Sequence, residues 1–383
     1  TMSFCLILLA AGKSNRFKSN LSKPYHKIAG KTLLEISLKK TLGFKPIKKT
    51  IIVYNLKNLK LLKKMNLYNV KLIKGGATRQ ESTLNALKYL IKRKEISKVL
   101  IHDAARPNFS ITLLKKISQK IKKSRAVIPI LKIQDAVKQK IQSSKFEYIV
   151  SKDRKNLFTT QTPQAFNLKE IYTHHLVNKL KYRDDDISLY MNLNNVNFIQ
   201  GEKNNFKITD QNDFENFKKL SQTNTYMGIG FDVHRLVPNR KLFLAGLKVK
   251  SKLGTLGHSD GDPVLHSIID SILGACKMGD IGQLFSDKDN KFKNIRSTIL
   301  LEKVIKQINL KGFYINNIDI NIIAQTPKIK NLKNSMINNI AKLCKISKEQ
   351  INIKGKTTEK LGVIGKEKAI ACEVITSVVK YEL

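Results

Sequence analysis

The sequence predicts two domains in tandem: an α/β domain with a mainly parallel sheet and a protruding arm, then an α+β domain. Three observations predict this. Apolar runs of strand length alternate with helix-length runs from Cys5 to Ile130. Residues 131–150 break that alternation with polar, alternating stretches, and Ser221-Gln222-Thr223-Asn224-Thr225 reads as a short polar linker before a second set of elements. Regular alternation argues a sheet flanked by helices, with ligands at the carboxyl ends of the strands. At 383 residues, 42% hydrophobic and 26% charged, the chain can bury two cores.

In the first domain Cys5–Leu9 reads as a buried strand followed by a Gly-containing loop, and Thr32–Lys40 as a helix. Strand Ile51–Tyr54, helix Thr78–Lys92, strand Val99–Ile101, helix Ser110–Lys122 and strand Ala126–Ile130 follow. Residues 131–150 form the arm, and Thr209–Leu220 a closing helix, so the domains are expected at 1–222 and 226–383. In the second domain strands are expected near Tyr226–His234, Leu242–Val249, Ile318–Ile323, Ile351–Lys354 and Ile370–Val379. Helices are expected over Pro263–Cys276, Ser297–Gln307 and Asn331–Leu343, giving helices over a mixed sheet.

Several classes fall away. No apolar run approaches the ~20 residues that cross a bilayer. Phe4 to Ala11 is short and lacks a basic flank, so it reads as a strand and not a signal peptide. Cys5, Cys276, Cys344 and Cys372 are scattered without a Cys-x-x-Cys pair, which suits reduced thiols in a cytoplasm. A net charge of +42 invites a nucleic-acid reading, but the excess is Lys spread along the chain with abundant Ile and Asn, without a recognition motif. It resembles coding bias, and anionic phosphate substrates would also be drawn to such a field.

The densest chemistry lies in Asp232-Val233-His234 and in His266, 32 residues later. Residues two apart on a strand share a face, so Asp232 and His234 can grip one ion. Asp262 and Pro263 read as N-cap and first turn of a helix, which places His266 one turn inside it. One carboxylate and two imidazoles make a three-ligand zinc set with a fourth position open to substrate. Around it stand Gly228-Ile229-Gly230-Phe231, His258-Ser259-Asp260-Gly261-Asp262, Gly279-Asp280-Ile281-Gly282, Phe285-Ser286-Asp287-Lys288-Asp289 and Thr357-Thr358-Glu359-Lys360-Leu361-Gly362. In this order they resemble the 2-C-methyl-D-erythritol 2,4-cyclodiphosphate synthase family over residues 226–383.

The first domain has its own signals. Ala10-Ala11-Gly12-Lys13-Ser14-Asn15-Arg16-Phe17, with Lys23 beyond, is a small-residue loop whose backbone N–H groups can approach phosphates. Gly75-Gly76-Ala77-Thr78-Arg79-Gln80-Glu81-Ser82, His102-Asp103-Ala104-Ala105-Arg106-Pro107, Asp153-Arg154, Thr162-Pro163-Gln164 and Lys207-Ile208-Thr209 follow. Together they resemble the 2-C-methyl-D-erythritol 4-phosphate cytidylyltransferase family over residues 1–220. The resemblance implies a Rossmann-like α/β nucleotidyltransferase domain followed by an α+β cyclodiphosphate-synthase-like domain.

It also implies roles. Ala10, Ala11 and Gly12 would cradle the CTP phosphates, and Arg16 and Lys23 would neutralise them. Asp103 would hold Mg²⁺ or methylerythritol hydroxyls, with Arg106 nearby. Arg154 and Lys207 would bind the acceptor phosphate, with Thr209 beside it, while Gly75, Gly76, Arg79 and Ser82 would read cytosine and ribose. In the second domain Asp232, His234 and His266 would hold Zn²⁺, and Glu359 a second divalent ion, Mg²⁺ or Mn²⁺. Thr357 and Thr358 would meet phosphate, as would His258 and Ser259. Asp280 and Gly282 would meet the erythritol, and Phe285, Asp287 and Asp289 would belong to a flexible substrate loop. Ala324-Gln325-Thr326-Pro327-Lys328 would lie on the cytosine side. Lys366 stands where the family carries an arginine, keeping the charge without its bidentate fork. Partners implied are small-molecule substrates (CTP and methylerythritol phosphates) and further copies of the chain: dimers of the first domain, trimers of the second, a hexamer satisfying both. No kinase-like ATP loop is present, so the intervening phosphorylation falls to a separate kinase; neither a membrane nor specific nucleic acid is expected.

Blander readings stand beside these. Arg79 could be a solvated first-turn residue, Arg106 a turn cap, Asp280 a turn residue and His258 a packed loop histidine; Asp262 reads as a cap, not a ligand. Rival functions are a generic sugar-phosphate nucleotidyltransferase fused to a metal-dependent phosphohydrolase-like domain, or a basic nucleic-acid-binding protein.

Overall fold

The computed structural model describes residues 3–12, 17, 21–65, 67, 69–142, 147–178, 184–257, 259–285 and 295–382. The chain divides into two compact units, Thr1–Lys219 and Leu220–Leu383. Among the described residues no helix is long and apolar enough to cross a membrane.

The first unit is built on a mixed eight-stranded sheet. Its central strand, Phe4–Ala10, pairs in parallel with Ile47–Tyr54 and Lys98–Asp103. Val70–Lys74 extends the parallel side, while Gln164–Asn167 joins Lys98–Asp103 and Ala126–Lys132 antiparallel. Both faces of the central strand are covered, as a parallel core strand requires. Phe4, Leu6 and Leu8 pack into one apolar cluster and Cys5 and Ile7 into another, the period-two alternation of a strand.

Helix starts are written locally. Thr32 caps Leu33–Leu42 with a capping box: Glu35 N donates to Thr32 Oγ1 at 3.1 Å and Thr32 N donates to Glu35 Oε2 at 2.7 Å. Thr78 caps Arg79–Leu90 by accepting from Glu81 N at 3.1 Å. The expected arm is a hairpin of Val137–Gln142 and Glu147–Lys152, a two-stranded sheet of its own with Tyr148 and Ile149 exposed. Its alternating polar sequence has no buried face to fill.

The second unit is a five-stranded sheet in the order Leu253–Thr255, Gln222–Pro238, Ala369–Tyr381, Phe313–Ile323, Ile351–Lys356. Helices Pro263–Ala275, Ser297–Leu310 and Lys333–Cys344 supply the core against it. Pro263–Ala275 lies so close to the Gln222–Pro238 strand that only glycine fits beneath it. A Cβ on Gly228 would sit 2.1 Å from Ser271 O, and one on Gly230 1.9 Å from Ser267 O. The opposite face of that strand carries Met227, Ile229, Phe231 and Val233, all more than half exposed.

One expectation is corrected. Residues 221–225 are not a linker: Ser221 ends the helix Gln211–Ser221, and Gln222 opens the strand, with Thr225 opposite Val379. The strand partner, not the local polar composition, decides this stretch.

Candidate active sites

In the second unit, Asp232 and His234 sit on the same face of their strand, beneath the helix that carries His266. Asp262 fixes that helix start, accepting from Val264 N at 3.0 Å and Leu265 N at 3.1 Å. It also accepts from Ala245 N at 3.1 Å and Gly246 N at 2.5 Å. It is a saturated cap and has nothing to offer an ion. His266, one turn on, points its Nδ1 at Asp232 Oδ2 at 3.0 Å. His234 Nδ1 lies 3.0 Å from the same oxygen.

One ligand atom from each of the three residues falls within 4.8 Å of the others. Burial alone would raise the Asp232 carboxyl, but the neighbouring His234 and then His266 imidazoles hold it at about 2. Burial would lower the His266 imidazole, yet Asp232 outweighs that and raises it. His234 Nδ1 is buried without a hydrogen bond of good geometry. A buried ring nitrogen aimed at a shared carboxylate oxygen, with a second imidazole beside it, fits a divalent cation of the zinc class.

The other expected residues of this unit divide. Ser259 joins the centre, its Oγ 3.1 Å from His266 Nε2. Asp280 caps a short helix, Ile281–Leu284, which holds Gly282, accepting from Gln283 N at 2.8 Å and Gln283 Nε2 at 2.9 Å. Phe285, expected in a flexible loop, is buried in the core. Thr357 Oγ1 donates to Glu359 Oε1 at 3.0 Å and Thr358 Oγ1 to Leu361 O at 2.8 Å, within one exposed loop. Glu359 stands outside the three-ligand group, and Lys366 is exposed at the end of the short helix Gly362–Gly365. His258, Asp287 and Asp289 lie outside the described residues.

In the first unit the carboxyl ends of the parallel strands open into a cavity of about 340 Å³. Ala11, Gly12, Lys23, Gly76, Arg79, Ser82, Asp103 and Lys207 all line it. Gly75 lines an adjoining hollow, and Ala10 is the buried strand end before the loop. A Cβ on Gly75 would meet Ala11 Cβ at 2.5 Å, so the two turns can approach only with glycine there. Ser82 Oγ accepts from Gly76 N at 3.1 Å and holds the turn.

Asp103 is the electrostatic pivot. Arg79 Nε reaches its Oδ1 at 3.2 Å and Lys207 Nζ its Oδ2 at 2.9 Å. Burial would raise this carboxyl, but Arg79 and then Lys207 hold it well below the usual carboxylate range. Arg79 also donates to buried Asp186 at 2.8 Å, and Asp186 meets His175 Nε2 at 3.0 Å. Arg79 is thus a fixed member of the cavity wall, not a solvated helix residue. Asp186 and His175 were missed by the sequence reading, because Asp186 and its partner Arg79 stand 107 residues apart. Arg106 donates to Asn205 O at 2.8 Å. Thr209 donates to Asp213 at the start of the closing helix. Arg154 is exposed and donates to Gln134 O near the arm. Arg16 lies outside the described residues.

Comparison with known proteins agrees. A model of the 2-C-methyl-D-erythritol 4-phosphate cytidylyltransferase family matches residues 4–219, and one of the YgbB family matches residues 225–379. A bifunctional enzyme IspD/IspF of Pelagibacter ubique is 53% identical over 380 residues, covering 99% of this chain and 100% of that protein. One from Campylobacter jejuni is 35% identical, covering 97% and 96%. The solved structure of the bifunctional IspDF from Campylobacter jejuni is 32% identical, spans 99% of each chain and gives a TM-score of 0.48. The two family models and the two bifunctional relatives favour the specific pairing over a generic nucleotidyltransferase with a phosphohydrolase, or a nucleic-acid binder. With both halves present in this order over the length of its relatives, the chain belongs to the bifunctional IspD/IspF family, cytidylyltransferase and cyclodiphosphate synthase of the methylerythritol phosphate route to isoprenoids.

Proposed function

We propose that the first unit transfers CMP from CTP to 2-C-methyl-D-erythritol 4-phosphate with release of pyrophosphate. The second unit closes 4-diphosphocytidyl-2-C-methyl-D-erythritol 2-phosphate to 2-C-methyl-D-erythritol 2,4-cyclodiphosphate with release of CMP. The observation that carries this reading is one chain holding both a cation-lined cavity and a three-ligand metal cluster.

In the first reaction an acceptor phosphate oxygen bonds to the α-phosphorus of CTP as the bond to pyrophosphate breaks. Both reactants are anions, so the work is positioning and charge neutralisation. Lys23, Arg79 and Lys207 supply fixed positive charge on the cavity wall. Asp103 and Asp186 hold Arg79, and Asp103 holds Lys207, so little reorganisation remains when the triphosphate arrives. The Gly75-Gly76 turn presents backbone groups to the base, and Mg²⁺ or Mn²⁺ would accompany the nucleotide. Arg16, Arg106, Arg154 and Thr209 belong to this site as further phosphate and acceptor contacts.

In the second reaction the 2-phosphate attacks the β-phosphorus and CMP leaves. Asp232, His234 and His266 would hold Zn²⁺, which when bound supplies a Lewis acid and a template for phosphate oxygens. Ser259, His258, Thr357 and Thr358 offer donors to phosphate, Glu359 a carboxylate for a second divalent ion, and Lys366 a cation. Asp280 and Gly282 would border the erythritol. The apolar face of Met227, Ile229, Phe231 and Val233 supports self-association of this unit as a trimer, and the exposed arm supports a dimer of the first. Four buried free thiols suit a reducing cytoplasm.

The test is direct. Full-length protein with CTP and methylerythritol phosphate should release pyrophosphate, and with the 2-phosphorylated cytidyl intermediate it should release CMP. No pyrophosphate in the first assay, or no cyclic product in the second, would end that half of the reading.

A further inference from the structure

Behind the metal cluster runs a chain of hydrogen bonds that neither half-reaction requires at first sight. His266 Nε2, the ring nitrogen turned away from Asp232, lies 2.9 Å from Ser297 Oγ and 3.1 Å from Ser259 Oγ. Ser297 Oγ in turn donates to Asp260 Oδ1, and Ser297 N lies 3.2 Å from Asp260 Oδ2. Ser297 is fully buried at the first turn of its helix, and Asp260 is only 8% exposed in its side chain.

Donor counting fixes the direction. A serine hydroxyl has one hydrogen, and a carboxylate accepts without donating in return. Ser297 gives its hydrogen to Asp260, so only its lone pairs face the imidazole. A bare Nε2 would set lone pair against lone pair at 2.9 Å. With an ion on Nδ1 the ring carries its hydrogen on Nε2, and the Ser297 Oγ lone pairs are placed to accept it. Ser259 Oγ accepts from Gly261 N at 3.1 Å.

We infer that Asp260 and Ser297 are positioning residues for the metal centre, a carboxylate–hydroxyl–imidazole relay that pins His266 as its Nε2–H form and aims Nδ1 at the ion. The inference rests on the metal-centre reading above and deepens it. The relay also fixes the ring plane, because its middle member, Ser297, sits on a different helix from the one bearing His266. Partners of this kind raise ligand basicity and hold orientation.

The experiment uses the full chain and the zinc ion itself. By chelator competition, Ser297→Ala and Asp260→Ala should each weaken zinc binding by about 10- to 100-fold. Cytidylyl transfer by the first unit should remain at the unmodified level, and the melting of the second unit, which should be unchanged, reports on its folding. In zinc-loaded unmodified protein with ¹⁵N-labelled histidine, His266 should show a protected Nε2–H, and the two replacements should remove that protection. A His266 carrying its hydrogen on Nδ1 in the unmodified protein would overturn the relay, as would both variants keeping unmodified zinc affinity. Failure of the metal centre looks different: zinc content would then be indifferent to His234→Ala.

Discussion

The two sites answer one problem, negative phosphate charge, with opposite preparations. The first carries its positive charge in place, and its carboxylates are already spent: Asp103 on Arg79 and Lys207, Asp186 on Arg79 and His175. The second aims ring nitrogens of two imidazoles at one Asp232 oxygen and leaves His234 Nδ1 without a hydrogen bond of good geometry. One site is electrostatically closed and the other is an array of lone pairs awaiting a cation. A carboxylate near phosphate chemistry is therefore not a metal ligand by default; what its oxygens already hold decides the matter.

The largest effect should come from breaking the open array. His234→Ala is expected to lower cyclodiphosphate formation ~1000-fold, since the metal's several kcal/mol of charge stabilisation is lost. Cytidylyl transfer should survive, and parallel assays of both reactions check this. Loss of the two together in folded protein would erase the contrast between sites.

Next, Gly230→Ala probes the frame of the second site alone. A Cβ 1.9 Å from Ser267 O must push the His266 helix off its strand, costing about 3 kcal/mol. Melting of the second unit should fall and zinc be lost, with the first activity intact. Melting curves followed alongside both assays read this out.

Lys207→Ala sharpens the other side. Removing one fixed cation should cut kcat/KM for cytidylyl transfer ~50-fold and leave cyclisation unchanged. Unaltered transfer kinetics would remove Lys207 from the mechanism.

The smallest effect is one of stability and carries a pH signature. Asp103→Asn leaves Arg79 and Lys207 facing each other, at about 2 kcal/mol once their partial exposure is allowed for. Because the Asp103 carboxyl is depressed in the folded chain, its contribution is complete above the unfolded carboxylate range and fades as pH falls through the folded value. The gap between the two proteins, read from denaturant midpoints, should be full at neutral pH and narrow below about pH 4. A gap that widens on acidification would contradict the sign.

Much of this was legible in the chain. Asp232 and His234 two apart on a strand, and His266 one turn into a capped helix, are short-range rules, and the structure brings those three together. Strands that are unbroken apolar runs, such as Phe4–Ala10, were plain too. Val70–Lys74 was not: as a sheet-edge strand broken by Lys71 and Lys74, it has little apolar signal. Gln164–Asn167 takes its place from two neighbours far off in sequence. The same reason hid the Asp186–Arg79 and Asp260–Ser297–His266 contacts. Their residue types are ordinary, and only the fold makes them neighbours.

The most direct test of the open array is anomalous diffraction from crystals of the full chain, recorded on both sides of the zinc absorption edge. The account predicts a single zinc peak in the second unit, bounded by Asp232, His234 and His266, and none at Asp103. Zinc bound at Asp103 instead, or absent from the three-residue cluster while cyclisation proceeds, would contradict it.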